Sequence, residues 1–282
     1  MIEFFQNVAE HRFLQYALLA AGLASVACGI VGTYVVTRRI TYIAGGIAHS
    51  VLGGMGLARY LALVHGWDWL SPLHGAVAAA LASAFTIGWV TMRWKEREDT
   101  AIGAIWAIGM AVGIIFIALT PGYNEELMSY LFGNILMVSP GDLWMMLGLD
   151  VIVLVVTFLF FNQLMAVTYD EDFARARGLN TEAYFLLLLC LTALTVVVLT
   201  TVVGVVLVIA LLTLPVAVAG HVVRTLRATM IIAVAVSLLT TTGGLALSYG
   251  PDLPAGASII VLAGGLYVAA ILVARWRGRA RA

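Results

Sequence analysis

His49 is the residue whose surroundings first suggest chemistry. It stands inside "YIAGGIAHSVLGGMGLARYLALV", residues 42–64, an apolar run long enough to cross a bilayer. A neutral imidazole is a good ligand for first-row divalent metals. Ionisable groups within hydrocarbon are costly, which makes them functional candidates. Gly45, His49, Gly53 and Gly56 fall at offsets of 0, 4, 8 and 11, so at about 100° per residue they share one helical face. Small residues let helices approach closely and also leave room beside the imidazole. Two roles stay open: a packing histidine hydrogen-bonded to a neighbouring carbonyl, or a nitrogen ligand on a metal path. Asp150, in "LWMMLGLDVIVLVV", is the acid set deepest in such a run. An ionised carboxylate there must find a partner or water. It either bonds to another helix, with Arg59 as the candidate partner, or lines a cation path. His74, near the end of a third run, reads as an interfacial side chain.

The elements that would position these groups are all of one kind. The 282 residues are 62% hydrophobic and 11% charged, and the mean hydropathy is +1.04. That composition belongs to polytopic membrane proteins. Runs able to span lie near 13–36, 40–64, 72–92, 101–119, 141–161, 183–201, 203–219, 229–248 and 255–274. The sixth and seventh meet almost without a loop around Thr200, Thr201 and Gly204, so eight spans result if that pair is partly re-entrant. Lys and Arg gather on the cytoplasmic side of membrane proteins. With nine spans and the N-terminus outside, the inner segments hold Arg38, Arg39, Arg93, Lys95, Arg97, Arg175, Arg177, Arg224, Arg227, Arg275, Arg277, Arg279 and Arg281, thirteen of the 15 basic residues. Eight spans would put some of these clusters on the wrong face. The expected fold is therefore an all-α transmembrane bundle of nine spans in one domain, residues 1–282, with the C-terminus cytoplasmic. No cleavable signal peptide is evident.

Several classes of function are excluded. Net charge is zero, which gives no argument for nucleic acid. Cys28 and Cys190 sit far apart in apolar runs and read as small packing residues. There is no GxxxxGK[ST] phosphate loop, so this chain does not hydrolyse ATP. No Ser-His-Asp or HExxH spacing appears. A transporter or channel subunit is what remains. One inner loop, residues 162–182, carries its own short helix within "FNQLMAVTYDEDFARARGLNTEAY". Asp170 suits the N-cap. Glu171 and Asp172 fall in the first turn, where the helix dipole favours negative charge. Arg175 and Arg177 fall in the last, and Gly178 suits the left-handed residue beyond it. Such a helix either lies on headgroups as a linker or docks a cytoplasmic partner.

On these segments the chain resembles the permease subunits of bacterial and archaeal metal-ion ABC transporters, the ABC-3 type. "RRITYIAGGIAHSVLGGMGL" resembles the family's second-helix motif, with its histidine at His49. "LMSYLFGNILMVSPGDLW" resembles the segment leading into the fifth span, "YDEDFARARGLN" the loop helix that seats in the ATPase subunit, and "GVVLVIALLTLPVAVAG", residues 204–220, the apolar segment ending at Pro215. The resemblance covers most of the chain. It implies import of zinc, manganese or ferrous iron, with no cofactor in this chain and with ATP and magnesium bound by a separate ATPase subunit. It also implies a second permease chain forming a homodimer, an extracytoplasmic metal-binding protein, and a place in the inner membrane. It makes Asp172, Phe173, Ala174 and Gly178 the expected ATPase-docking residues. One departure stands out. Many members carry an aspartate four residues before the histidine, and this chain has Gly45 there. That weakens a preference for manganese, which favours carboxylate oxygen more than zinc does, and makes zinc the first expectation.

Asp68, Glu125, Glu126, Asp142 and Asp252 lie in or beside outer loops without Lys or Arg, which suits a cation's entrance. Residues 120–142 form the longest outer connection and the expected platform for a binding protein, with residues 131–138 dipping back. Two alternatives stay open. One is a permease for a metal chelate such as a siderophore or haem; such chains usually run longer. The other is an ion-coupled carrier, which would usually show inverted repeats. No convincing internal repeat is present.

Overall fold

Hydrocarbon offers no water to unpaired N–H and C=O groups, so a spanning segment must satisfy them internally, as a helix does. The computed structural model describes residues 7–8, 10–94, 98–120, 133, 135–251 and 253–279, and among the described residues all regular structure is helical. Nine helices there are long and apolar enough to cross a membrane. They are α1 (Arg12–Thr37), α2 (Thr41–His65), α3 (Pro72–Trp89), α4 (Glu98–Leu119), α5 (Pro140–Tyr169), α7 (Thr181–Val203), α8 (Val205–Val222), α9 (Leu226–Tyr249) and α10 (Ala255–Arg279). The short α6 (Glu171–Ala176) lies between α5 and α7, where the sequence places a loop helix. α3 continues through a π-helical turn, Val90–Trp94.

Local chemistry sets the helix ends. α3 and α5 begin alike, with Pro at the first turn behind a serine cap, Ser71 or Ser139. The ring nitrogen of His74 accepts the Ser71 N–H at 3.2 Å, closing a capping box. His74 is thus a helix-start residue. Asn180 and Thr225 cap α7 and α9 through side-chain oxygens. α1 turns into α2 through Arg39, whose φ of 64° is left-handed and uncommon for a residue with a Cβ.

The junction of the sixth and seventh spans is a full break. α7 ends at Val203 and α8 starts at Val205, with Gly204 between them at φ 82° and ψ 157°. Gly133 packs against the backbone of Val203 and Gly204, where no side chain fits. The pair is two helices, and the count among the described residues is nine. Of the outer connection, residues 121–132 and 134 lie outside the described residues, and so do Asp252, Lys95, Arg97 and Arg281. Just beyond Gly133 the chain forms a 3₁₀ turn, Ile135–Met137, with Ile135 buried and the turn packed on α1.

α1 and α7 are the most enclosed spans, and α10 and α4 the least. α1 packs on α5, α7, α8 and α9; α2 packs on α3 and α4; α7 touches both groups. The largest side chains on the periphery, such as Phe158 at 85% and Val261 at 74% exposure, face the surroundings. That is expected of a bundle whose solvent is lipid. Association among such helices relies on close packing rather than on burial from water. Gly29 lies under Val234 and Gly32 under the Leu212 carbonyl, which draws α1 onto α9 and α8. Gly54 of α2 and Gly75 of α3 meet backbone to backbone. Gly53 and Gly46 lie where a Cβ would come within 2.7 Å of the Gly109 carbonyl oxygen and the Ile102 side chain on α4.

A side chain at the Gly54–Gly75 crossing must therefore force two helices apart. Gly75→Val should lower stability by about 1–3 kcal/mol, the range for overpacking. Thermal unfolding in detergent, with expression measured alongside, checks this; an unchanged melting temperature would contradict the crossing.

Candidate functional site

His49 emerges half-buried on the face of α2 that meets α4. Its ring lies flat on the indole of Trp106, with centroids 4.2 Å apart and planes 12° from parallel. Aromatic contacts of this geometry are attractive beyond the area they bury. Trp106 donates its Nε1–H to the sulfur of Met110, one turn further along α4, at 3.2 Å. Next to His49, Ser83 of α3 donates to Ser50 at 2.7 Å, and Ser50 donates to the Ile47 carbonyl at 2.8 Å. The imidazole is thus held by its ring face. A neutral imidazole so placed can offer one lone pair to a cation. Among the described residues, no three His, Cys, Asp or Glu side chains come together as a metal cage.

Asp150 lies elsewhere. It is 4% exposed and turned toward α1, beside Ala27 and Cys28. Its Oδ1 has no hydrogen-bond partner. The expected pairing with Arg59 is not formed, because α5 packs on α1 and α7 whereas Arg59 stands half-buried on α2. The structure therefore does not bring the two sequence-derived metal candidates together: His49 faces α4 and Asp150 faces α1.

A second candidate region surrounds α6. Asp170 caps it by accepting the Phe173 N–H at 2.9 Å, Glu171 and Asp172 occupy the first turn, and Gly178 closes it at φ 81°. Asp172, Phe173 and Gly178 are exposed, Phe173 at 57%. Ala174 departs from the expectation for a docking residue. It is fully buried against its own chain, since it is the position by which so short a helix seats on the bundle. Arg38, at the end of α1, holds that seat. Its guanidinium donates to the Val167 carbonyl of α5 and, at 2.7 Å, to Glu171 of α6. It also lies over the Phe185 ring of α7, 4.3 Å from the centroid. Glu171 receives a second bond from Arg175 at 3.0 Å. The planar fork of arginine suits this several-way contact, where lysine would supply only a point charge.

These features define a class: a multi-pass membrane bundle with a polar helix seated at one end and an imidazole, His49, within a span. Comparison with known proteins identifies it further. Residues 10–274 match the model of the ABC 3 transport family, and the chain belongs to that family. It is a transporter permease subunit and not an enzyme; ATPase activity resides in a separate subunit. It is 42% identical over 259 residues, 92% of this chain and 88% of the relative, to a Chlamydia trachomatis protein described as "probable metal transport system membrane protein". It is 33% identical to the manganese transport system membrane protein MntC of Halalkalibacterium halodurans, across 98% of this chain and 95% of that one. Among solved structures it superposes on PsaBC from Streptococcus pneumoniae, determined in complex with Fab, with a TM-score of 0.84 and 30% identity. The match covers 96% of this chain and 95% of that chain.

Sequence reasoning missed two contributors. Arg38 counted only as one of the positive residues that set orientation, and its role as a clamp needs the three-dimensional meeting of α1, α5, α6 and α7. Trp106 was not singled out. Its surroundings, "GAIWAIGMAVG", carry Gly103, Gly109 and Gly113, which mark a second glycine-rich span that can pack closely. Replacing Arg38 with Met keeps the length and removes the bonds. It leaves the Val167 carbonyl and the Glu171 carboxylate without that donor, and should cost about 1–3 kcal/mol. Thermal unfolding of the purified chain measures the loss, and Arg38→Lys should recover only part of it.

Proposed function

We propose that this chain forms the membrane path of an ABC importer for a divalent transition-metal ion, with zinc as the first candidate. The observation that carries the proposal is the intramembrane imidazole of His49, half-buried and stacked on Trp106, on a helix face cleared by glycine. The metal-transport names of its relatives support the same cargo class. Zinc is ranked first because the side chains described around His49 add no carboxylate, and nitrogen donors suit zinc better than manganese. A second reading, manganese, is favoured by the name of the Halalkalibacterium relative. Chelate permeases and ion-coupled carriers fall behind membership in the ABC 3 transport family.

In this reading two copies of the chain pair in the plasma membrane, and two cytoplasmic ATPase subunits bind ATP with magnesium. An extracytoplasmic protein delivers the ion to the outer mouth. The N-terminus is outside and the C-terminus inside, a reading that the distribution of arginine supports. Closure of the ATPases moves α6, which offers Phe173 as an aromatic anchor with Asp172 and Gly178 beside it; Ala174 supports the helix from within. The spans then rock from outward-open to inward-open. His49 contributes a transient nitrogen ligand, and a sparse ligand set lets the ion leave again. Asp150, buried on the opposite side of the bundle core, belongs to a second level of the path or to packing against α1. Its test is Asp150→Asn.

His49→Gln, which keeps size and hydrogen bonding, should lower zinc uptake by about tenfold or more at unchanged assembly with the ATPase, the scale expected for loss of a direct contact. His49→Ala should do the same, and wild-type uptake by the Gln variant would reduce His49 to a packing residue. Phe173→Ala should separate ATP hydrolysis from uptake while the chain still reaches the membrane. Normal transport by that variant, with a normal complex on size exclusion, would remove the docking role. A cysteine at Asp68 should react with an impermeant thiol reagent in intact cells, and one at Asp172 should not; the reverse pattern would invert the topology.

A further inference from the structure

The indole that supports His49 also governs what can stand next to it. Side chains one turn away along a helix, at i±3 and i±4, are the ones that can reach a given residue on the same face. For His49 these positions are Gly45, Gly46, Leu52 and Gly53. Helix packing closes three of them. A Cβ at Gly46 would meet Ile102 at 2.7 Å, and one at Gly53 would meet the Gly109 carbonyl oxygen at 2.7 Å. Leu52 is buried against Gly113. Position 45 differs. A Cβ built there sits 3.5 Å from the Cζ3 atom of Trp106 and 4.0 Å from Cη2, an ordinary contact, and no backbone lies nearby. A methyl group fits in contact with the indole, and the indole is the group that a longer side chain there meets first.

The indole is fixed in place. Its face carries the His49 ring, and Tyr42, one turn before Gly45, tilts against it with centroids 5.8 Å apart. Its N–H is engaged by Met110. α2 and α4 cannot separate to make room, because Gly53, Gly56, Gly109 and Gly113 hold their backbones together. Trp106 therefore spans α2 from Tyr42 to His49 and covers Gly45.

We infer that Trp106 is a specificity-determining positioning residue of the ion path: it fixes the His49 imidazole and fills the volume that a carboxylate one turn away would need. The inference rests on the reading of His49 as the ion contact. Gly45 and Trp106 form one steric unit, and together they leave nitrogen without anionic oxygen at this level. A borderline cation such as zinc is served by that donor, whereas a hard one such as manganese loses the oxygen it prefers.

The test uses the whole transporter, with its ATPase and binding protein, in cells that depend on it for metal. Uptake of radiolabelled zinc and manganese is measured for Gly45→Ala, Gly45→Asn, Gly45→Asp, Trp106→Ala and the double variant Gly45→Asp/Trp106→Ala. The alanine at 45 retains most uptake. The Asp and Asn variants lose uptake alike, by about tenfold, because size and not charge is excluded. Trp106→Ala alone loses uptake of both metals, because the imidazole loses its support. The double variant regains uptake relative to Gly45→Asp, and its manganese-to-zinc ratio rises about tenfold over wild type as a carboxylate joins the imidazole. Wild-type uptake by Gly45→Asp with Trp106 in place would overturn the inference. So would an Asn variant that works where Asp fails, or a double variant no better than Gly45→Asp at equal amounts of assembled complex. Melting temperatures of the purified complexes read the same unit without transport. The drop caused by Gly45→Asp should be relieved by Trp106→Ala, and strictly additive shifts would again overturn it. Normal uptake by His49→Gln, with non-additive melting shifts at 45 and 106, would remove the ion contact and leave only the packing unit. Impaired His49→Gln with additive shifts would remove Trp106 and leave His49.

Discussion

Backbone-to-backbone approach between α2 and its neighbours is the constraint on which the rest of this structure depends. Lipid provides no hydrophobic drive to bring helices together, so contact distance decides which pairs adhere. Gly46, Gly53 and Gly56 set α2 onto α4, and Gly54 sets it onto α3. The same spacing that removes side chains for packing leaves His49 on that face with room beside it. Packing and chemistry are thus not separate layers here. The helix that must come close enough to seal α2 also supplies the indole on which the imidazole rests.

Much of this was legible in the sequence. The nine spans among the described residues lie where the apolar runs place them, with α5 running on to Tyr169 past its apolar run, because a run of about 20 apolar residues has one way to satisfy its backbone in hydrocarbon. The loop helix and its signals at Asp170, Glu171 and Gly178 were readable for a similar reason: caps are local, and each residue's role depends on neighbours three or four positions away. The doubtful junction at Gly204 resolved as a break because its φ is positive, which glycine alone adopts freely.

What escaped the sequence was long-range. Asp150 and Arg59 looked like natural partners, but their helices do not pack together, and no periodicity encodes which helix neighbours which. Ala174 matched a docking motif, but its small side chain turned out to be the inner face of α6. His74 gave no sign that its ring closes a capping box with Ser71. Trp106 carried no signal of its own, because its meaning comes from an absence 61 positions earlier in the chain, the missing side chain at Gly45.

The irregular point in α5 has a mechanical consequence. Helical geometry lapses at Phe160, where φ is −111° and ψ is 18°. Beyond it run nine residues, 161–169, to the start of α6, a rod about 13 Å long at 1.5 Å per residue. Arg38 grips the far end of that rod through Val167 and, through Glu171, the helix attached to it. A push on α6 therefore arrives at Phe160 as torque about a pivot, and through Arg38 as a pull on α1. One stroke at the surface is divided between a lever and a tether, and the two enter the bundle on different helices.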